Sequence, residues 1–575
     1  MKRLMLGNEA IARGAYEAGV KVATAYPGTP STEITEYIAR YDRIYAEWSP
    51  NEKVALEVGI GSSIAGARTI VSMKHVGLNV AADPLFTVGY TGVNAGLVIV
   101  VADDPGMHSS QNEQNTRYYG QAANIPILEP SNSQEAKDYV LRGFEISEKY
   151  DTPVIIRMTT RVSHSQSTVE LGEPMEQKLR AYKKDINKYV MMPAMAKVRH
   201  VVVEERMNRL AKDANMLDIN KMEFADRKIG IITSGVPYLY AKDALPEASI
   251  LKLGMVYPLP DDIIREFANK VDRLYVVEEL EPFIEDHVKA MGIKLYRENL
   301  FSIQGELSAN IIYANIMEKE LKEEPAIDVP GRPPVLCPGC PHRGIYYAVK
   351  KLGLHAAGDI GCYTLGALPP LEGIDTCICM GASIGMAHGI EKALGRDDSK
   401  KWIGIIGDST FIHSGITGLI DIVYNKGMST IAILDNSTTG MTGHQEHPAT
   451  GKTLKGEPAP VLNLVELVKA IGIKNVEVVD AYDVVKIEAV LKREINRDAP
   501  SVIILTGPCA LLPTEKKQPF VINQDMCTYC NSCSQIACPA ISEDGKEITI
   551  DTSLCDGCGL CANICVFNAV ERLSD

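Results

Sequence analysis

Short apolar runs alternate with segments of helical period over the first 175 residues. Residues 20–25, 69–73, 97–102 and 153–158 read as buried strands, and residues 10–18, 54–67 and 133–149 as helices. This alternation predicts a doubly wound α/β unit on a parallel sheet. It returns at 228–234, 249–253 and 273–278, and again at 402–406 and 430–434. Residues 170–226 are charged, lack strand alternation and read as a linker with helices. Residues 325–334 are Pro-rich and read as a second linker. The expected division is 1–175, 176–330, 331–515 and 516–575, with the last part too short and too Cys-rich for an ordinary core.

Composition narrows the class. The chain has 575 residues, 46% of them hydrophobic and 23% charged, and a net charge of −14. That suits a multidomain globular protein and argues against a nucleic-acid surface. No run approaches the ~18 apolar residues of a membrane span. The opening MKRLMLGNEA breaks its apolar patch too early for a signal peptide. The expected location is cytoplasmic, where fourteen Cys point to metal rather than disulfides.

The strongest chemical signal is at the end. Cys527, Cys530, Cys533 and Cys538 are followed by Cys555, Cys558, Cys561 and Cys565. Eight Cys in two CxxCxxC runs fit two [4Fe–4S] clusters, with the fourth Cys of each run serving the other cluster. Cys527, Cys530, Cys533 and Cys565 form one set; Cys538, Cys555, Cys558 and Cys561 form the second. Four residues rather than three precede Cys538, and Val566 stands where a second Pro is usual. A zinc site is the alternative for such spacing. A separate CxxC, Cys337 with Cys340, is joined along the chain by Cys362 and Cys509, while Cys377 and Cys379 fit no ligand spacing and are expected in the core.

The stretch 407–443 organises the rest. Its first strand ends in Gly407-Asp408 and its second in Asp435-Asn436. Two parallel strands thus finish with oxygen-bearing side chains at the sheet edge where open α/β sheets bind ligands. A carboxylate and an amide oxygen suit Mg²⁺ holding a diphosphate. Near the N-terminus, Tyr26-Pro27-Gly28-Thr29-Pro30-Ser31 turns the chain directly after a strand. Glu57 lies in a small-residue segment and is expected to be partly buried, with Glu52 as its rival. Residues 103–117 form a polar loop after a buried strand, as either an active-site loop or a solvated one.

These motifs resemble those of the thiamine diphosphate-dependent 2-oxoacid:ferredoxin oxidoreductases. Gly407-Asp408-Ser409 through Asn436-Ser437-Thr438-Thr439-Gly440-Met441-Thr442 is similar to the thiamine diphosphate motif, with Ser409 in place of its usual third glycine. The resemblance implies Mg²⁺ on Asp408, Asn436 and the Thr438 carbonyl. It implies cofactor contacts at Gly407, Ser409, Gly440, Met441 and Thr442. It places Thr29 against the substrate and Glu57 against the aminopyrimidine. It makes Cys337, Cys340, Cys362 and Cys509 a third [4Fe–4S] set. Where relatives carry an Arg for the substrate carboxylate this chain has Asp103, and Arg117 is the candidate replacement.

The implied order is a pyrimidine domain, a transketolase C-terminal-like domain, a diphosphate domain and a two-cluster ferredoxin domain. Within the family the chain looks like alpha subunits of the indolepyruvate group. The implied reaction is oxidative decarboxylation of arylpyruvates with CoA, with electrons passing to ferredoxin. A beta subunit with a gamma-type domain is the implied partner, in a heterodimer or a pair of heterodimers. Branched-chain or pyruvate specificity, a non-oxidative decarboxylase and a pure electron-transfer subunit are the alternatives.

Overall fold

The computed structural model describes residues 1–176, 178–321, 331, 333–512, 517–545 and 547–573. The expected linker at 325–334 lies largely outside the described residues. The chain forms two compact units, Met1–Ile327 and Asp328–Asp575.

The first unit holds a seven-stranded sheet. Its order is Met255–Tyr257, Ile127–Leu128, Val154–Thr159, Leu97–Asp103, Thr69–Lys74, Val22–Ala25 and Tyr45–Trp48. All neighbours are parallel except Met255–Tyr257, which runs antiparallel to Ile127–Leu128. The strands Thr69–Lys74, Leu97–Asp103 and Val154–Thr159 are buried along their whole length. That explains why they read as apolar runs rather than alternating patterns. Tyr45–Trp48 escaped the sequence reading because this edge strand, YAEW, carries no apolar run.

A second sheet orders Arg273–Val277, Asp226–Ser234, Ala248–Leu253 and Lys221–Glu223. One hydrophobic core joins both sheets, taking in Val71, Ile99, Ile232, Leu251 and Val276. The middle segment therefore contributes the strand Met255–Tyr257 to the first sheet instead of standing apart. The charged stretch expected as a linker contains a 22-residue helix, Pro193–Ala214, whose Val203, Met207 and Leu210 are buried.

The second unit is built on a six-stranded, all-parallel sheet. Its order is Thr376–Cys377, His355–Gly358, Trp402–Gly407, Thr430–Asp435, Ser501–Thr506 and Asn475–Asp480. The tail adds two small antiparallel pairs, Phe520–Ile522 with Val570–Arg572 and Ile541–Asp544 with Glu547–Ile550. Its core includes Cys533 and Cys561 beside Ile536, Leu560 and Ile564, so thiols pack among its hydrocarbon. No helix among the described residues is long and apolar enough to cross a membrane.

Candidate functional site

In each parallel sheet the chain runs outward from a first strand, returns to that strand's other side and continues away. The C-terminal ends of the first and third strands flank the resulting crevice, where open α/β sheets take ligands. In the second unit these ends are Gly358 and Gly407; in the first they are Ala25 and Lys74.

Asp408 follows Gly407 and is 2% exposed. Its Oδ1 accepts from Ser409 N–H at 2.8 Å, and its Oδ2 from Ser437 N–H at 3.0 Å. The terminal atom of the Asn436 amide points at Asp408 Oδ1, 3.1 Å away, and at the Thr438 carbonyl, 2.9 Å away. With the amide oxygen inward, three oxygens converge without a donor between them. Such a set is stable if the amide turns its nitrogen inward or if a hard cation sits among the oxygens. Asp435 is pushed up to about 6 by burial and by neighbouring Asp408, again the mark of acceptors crowded together. The residues present thus fit Mg²⁺.

The rest of the loop is tied to itself. Ser409 Oγ meets Thr439 Oγ1 at 2.9 Å, and Thr442 donates to Gln445 at 2.5 Å. Met441 stays exposed. His342 is buried near Asp408, and neither ring nitrogen has a hydrogen-bond partner among the described residues. Burial holds the imidazole down at about 4. Unpaired buried nitrogens beside an acceptor-rich edge suit a polar ligand such as a diphosphate.

The cysteines lie in three neighbourhoods. Burial raises Cys340 to about 12 and Cys362 to about 11, with Cys337 among the neighbours of both and Cys509 beside Cys362. Cys509 also neighbours Cys337. Cys533 is surrounded by Cys527, Cys530 and Cys565, and Cys561 by Cys558, Cys538 and Cys555. Cys538, Cys555, Cys558 and Cys561 line one cavity together with Arg343. Among the described residues, no three His, Cys, Asp or Glu groups are placed to share a single ion. A four-iron cluster gives each thiolate a different iron and so accepts wider spacing. Cys379 is exposed and Cys377 half-buried, which corrects their expected place in the core; Cys379 lies just before the turn into the helix Ala382–Leu394.

Arg343 was missed by the sequence reading. It is 1% exposed and opens the helix Arg343–Leu352. Its guanidinium donates to the carbonyls of Cys337 (2.9 Å), Ile536 (2.8 Å), Leu336 and Ala537. It thereby ties the CxxC segment to the tail. Burial lowers its proton affinity, against the pull of Cys538, Cys340, Cys558 and Cys337. No carboxylate pairs with it among the described residues, and the acidic groups beside it are the thiols of Cys538, Cys340, Cys558 and Cys337.

The first unit corrects two expectations. The Glu57 side chain is 45% exposed and paired with Lys53, because the helix Glu52–Ile64 turns that face to solvent. Glu52, one turn earlier, is 5% exposed. Asn51 caps this helix by accepting from Val54 N–H, which fixes Glu52 at the first turn. A Cβ on Gly77 would stand 2.5 Å from Glu52 Oε1, so only glycine lets this chain pass the carboxylate.

Arg117 is equally unavailable as a substrate contact. It is fully buried, bidentate to Glu129 at 3.0 Å and bonded to Glu278 at 2.7 Å. Arg157 bridges Glu129 and Asp103, each at 2.6 Å. Despite burial, the two guanidiniums hold Glu129 below the usual carboxylate range. Burial lifts Glu278 to about 7 even beside Arg117.

Three family models match the chain. They are "Thiamine pyrophosphate enzyme, C-terminal TPP binding domain" over 359–505, "Pyruvate flavodoxin/ferredoxin oxidoreductase, thiamine diP-bdg" over 13–222, and "4Fe-4S binding domain" over 548–571. Indolepyruvate oxidoreductase subunit IorA of Archaeoglobus fulgidus is 43% identical over 615 aligned positions, covering 99% of this chain and 97% of the relative. The protein of the same name from Pyrococcus horikoshii is 41% identical over 100% of this chain and 97% of its own length. A solved 2-oxoglutarate:ferredoxin oxidoreductase from Magnetococcus marinus matches at 17% identity and TM-score 0.46, over 55% of this chain and 65% of that one, too distant to carry an argument.

Proposed function

Because the chain belongs to the indolepyruvate oxidoreductase IorA subunits, thiamine diphosphate-dependent 2-oxoacid:ferredoxin oxidoreductases, we propose that its substrates are arylpyruvates such as indole-3-pyruvate. An arylpyruvate and CoA give an arylacetyl-CoA, CO₂ and a proton, and two electrons leave for two oxidised ferredoxins. Thiamine diphosphate supplies the electron sink for losing CO₂, and the clusters take electrons singly.

One observation carries the reading. The cation-fitting oxygens and the thiols of the CxxC set border the same loop. Cys362 Sγ lies 3.5 Å from where a Cβ on Gly440 would stand, and Cys509 N–H donates to the Asn436 carbonyl at 3.0 Å. A decarboxylase that keeps its electrons has no use for thiols there.

Asp408, Asn436 and the Thr438 carbonyl hold Mg²⁺ in this reading, and Gly407, Ser409, Gly440 and Thr442 shape the diphosphate loop. Glu52 takes the aminopyrimidine role expected of Glu57, since a buried carboxylate can hold a ring proton and a solvated, lysine-paired one is poorly suited to do so. Thr29 faces the substrate. The three Cys quartets hold three [4Fe–4S] clusters. A beta subunit with a gamma-type domain completes the enzyme, and ferredoxin accepts the electrons.

The test is anaerobic turnover on a panel of 2-oxoacids, read as viologen or ferredoxin reduction with and without CoA. CoA-dependent reduction fastest with arylpyruvates is expected. CO₂ release without any reduction would overturn the oxidative reading. Iron should number about twelve per chain, falling to about eight when Cys337 and Cys340 are both changed to Ser.

A further inference from the structure

The crevice of the first unit contains one cation that the reading above leaves unused. Lys74 ends the strand Thr69–Lys74, on one flank of the crevice; the turn Tyr26-Pro27-Gly28-Thr29 leaves the strand on the other flank. The two touch. A Cβ on Gly28 would stand 3.1 Å from the Lys74 Cβ. Ser109, from the polar loop after Leu97–Asp103, closes over both. Its carbonyl accepts from Lys74 Nζ at 2.6 Å, and its Oγ lies 3.3 Å from Nζ and donates to the Thr29 carbonyl at 3.3 Å.

Lys74 is 7% exposed, yet among the described residues no carboxylate forms an ion pair with it. Asp104 is the anion whose charge acts on it, and its oxygens are spoken for. Oδ2 accepts from Ser109 N–H at 2.8 Å and Ser110 Oγ at 2.5 Å, and Oδ1 from Thr160 Oγ1 at 2.6 Å. Asp104 therefore holds the loop in place instead of pairing with the lysine. A buried ammonium without a bonded anion is costly, and burial brings its proton affinity down to about 8. The buried guanidiniums on the neighbouring strands and loop are committed, Arg117 to Glu129 and Glu278 and Arg157 to Glu129 and Asp103.

We propose that the Lys74 ammonium binds the carboxylate of the 2-oxoacid, with Ser109 holding the ammonium toward the crevice beside Thr29. This rests on the reading of the chain as a 2-oxoacid oxidoreductase. It assigns the carboxylate contact to the end of the third strand of the sheet, Thr69–Lys74, and not to the polar loop's Arg117. The contact exists only until CO₂ leaves, so it serves binding more than the later electron transfer.

The test compares wild-type holoenzyme with Lys74→Met and Lys74→Arg. One measurement is equilibrium binding of an unreactive 3-arylpropionate and of its uncharged amide. The other is KM and kcat with arylpyruvate. Losing a charge-assisted contact should weaken the propionate about 100-fold in Lys74→Met and raise KM by a similar factor, with kcat within about tenfold. The amide should bind wild type and variant alike, and Lys74→Arg should recover most of the propionate affinity. Thiamine diphosphate and iron contents should stay at wild-type levels. If Lys74→Met does not accumulate folded, Lys74→Gln carries the same test, because its amide can still donate to the Ser109 carbonyl. Unchanged propionate binding and KM in a cofactor-loaded variant would overturn this inference alone. A wild type that turns over no 2-oxoacid would overturn the functional reading and this inference with it.

Discussion

The two parallel sheets share one strand order. Numbered by their place along each sheet's own chain, the strands run second, first, third, fourth, sixth, fifth in both, with Met255–Tyr257 appended to the first sheet. The backbone thus builds the same crevice twice, and the strand-end residues make them different. In the second unit the crevice collects acceptors, Asp408, Asn436 and the Thr438 carbonyl, with thiols close by. In the first it collects Lys74, Thr29 and the buried Glu52.

The units also handle buried charge differently. The first closes two guanidiniums on carboxylates, Arg117 and Arg157 against Glu129, Glu278 and Asp103, and bonds a third, Arg206, to the carbonyls of Asp151 and Gly89. The second bonds Arg343 to carbonyls alone too, but beside the thiols of Cys337, Cys340, Cys538 and Cys558. A network that closes on itself stabilises the scaffold. An acceptor set or ring nitrogen left without a donor or acceptor of its own suits a ligand the chain does not itself provide.

The largest expected effect is at the open acceptor set. Asp408→Ala removes one of its two side-chain oxygen ligands, and thiamine diphosphate retained after gel filtration should fall to less than about a tenth of wild type in a folded protein. Full occupancy would mean that the Asn436 amide turns its nitrogen inward and no cation sits there.

Glu52→Gln should keep the cofactor and lose about 10²–10⁴-fold in turnover, while Glu57→Gln stays within about twofold. The reverse ranking would return the role to the exposed carboxylate.

Arg343→Met sharpens the contrast between charge closed on carboxylates and charge beside thiols. With clusters in place, losing a buried positive charge disfavours the incoming electron. Redox titration followed by electron paramagnetic resonance should show the neighbouring cluster potentials lower by on the order of 50–100 mV. Unchanged potentials would make Arg343 a purely structural staple.

The smallest effect tests the closed network's margin. Burial lifts Glu279 to about 7, against the pull of the Leu307 N–H, at 3.0 Å, and of Arg157. A carboxyl whose folded pKa is raised stabilises the fold most below its ordinary value, and that stability drains away as pH rises to about 7. Glu279→Gln should flatten this fall and gain roughly 2 kcal/mol at pH 8, read from urea midpoints against pH. An unaltered pH profile would show that Glu279 does not titrate there.

Sequence alone determined whatever is local. Apolar runs marked most of the fully buried parallel strands, since both faces of such strands meet core. CxxCxxC spacing marked the tail quartets, since the loops that present those thiols are only a few residues long. Asp408 and Asn436 were legible because each directly ends a strand whose run is unmistakable. Only the tertiary structure decided what depends on facing and pairing. Glu52 and Glu57 share one helix, and Leu56 and Val58 beside Glu57 made it look the more buried of the two, whereas the packing of Gly77 against Glu52 chose the other. Arg117 looked free in a polar loop until Glu129 and Glu278, 12 and 161 positions away, closed on it. Lys74 closed an apolar run and carried no motif. Its place beside Thr29 follows from strand order, which hydrogen bonds between distant segments set and no local pattern records.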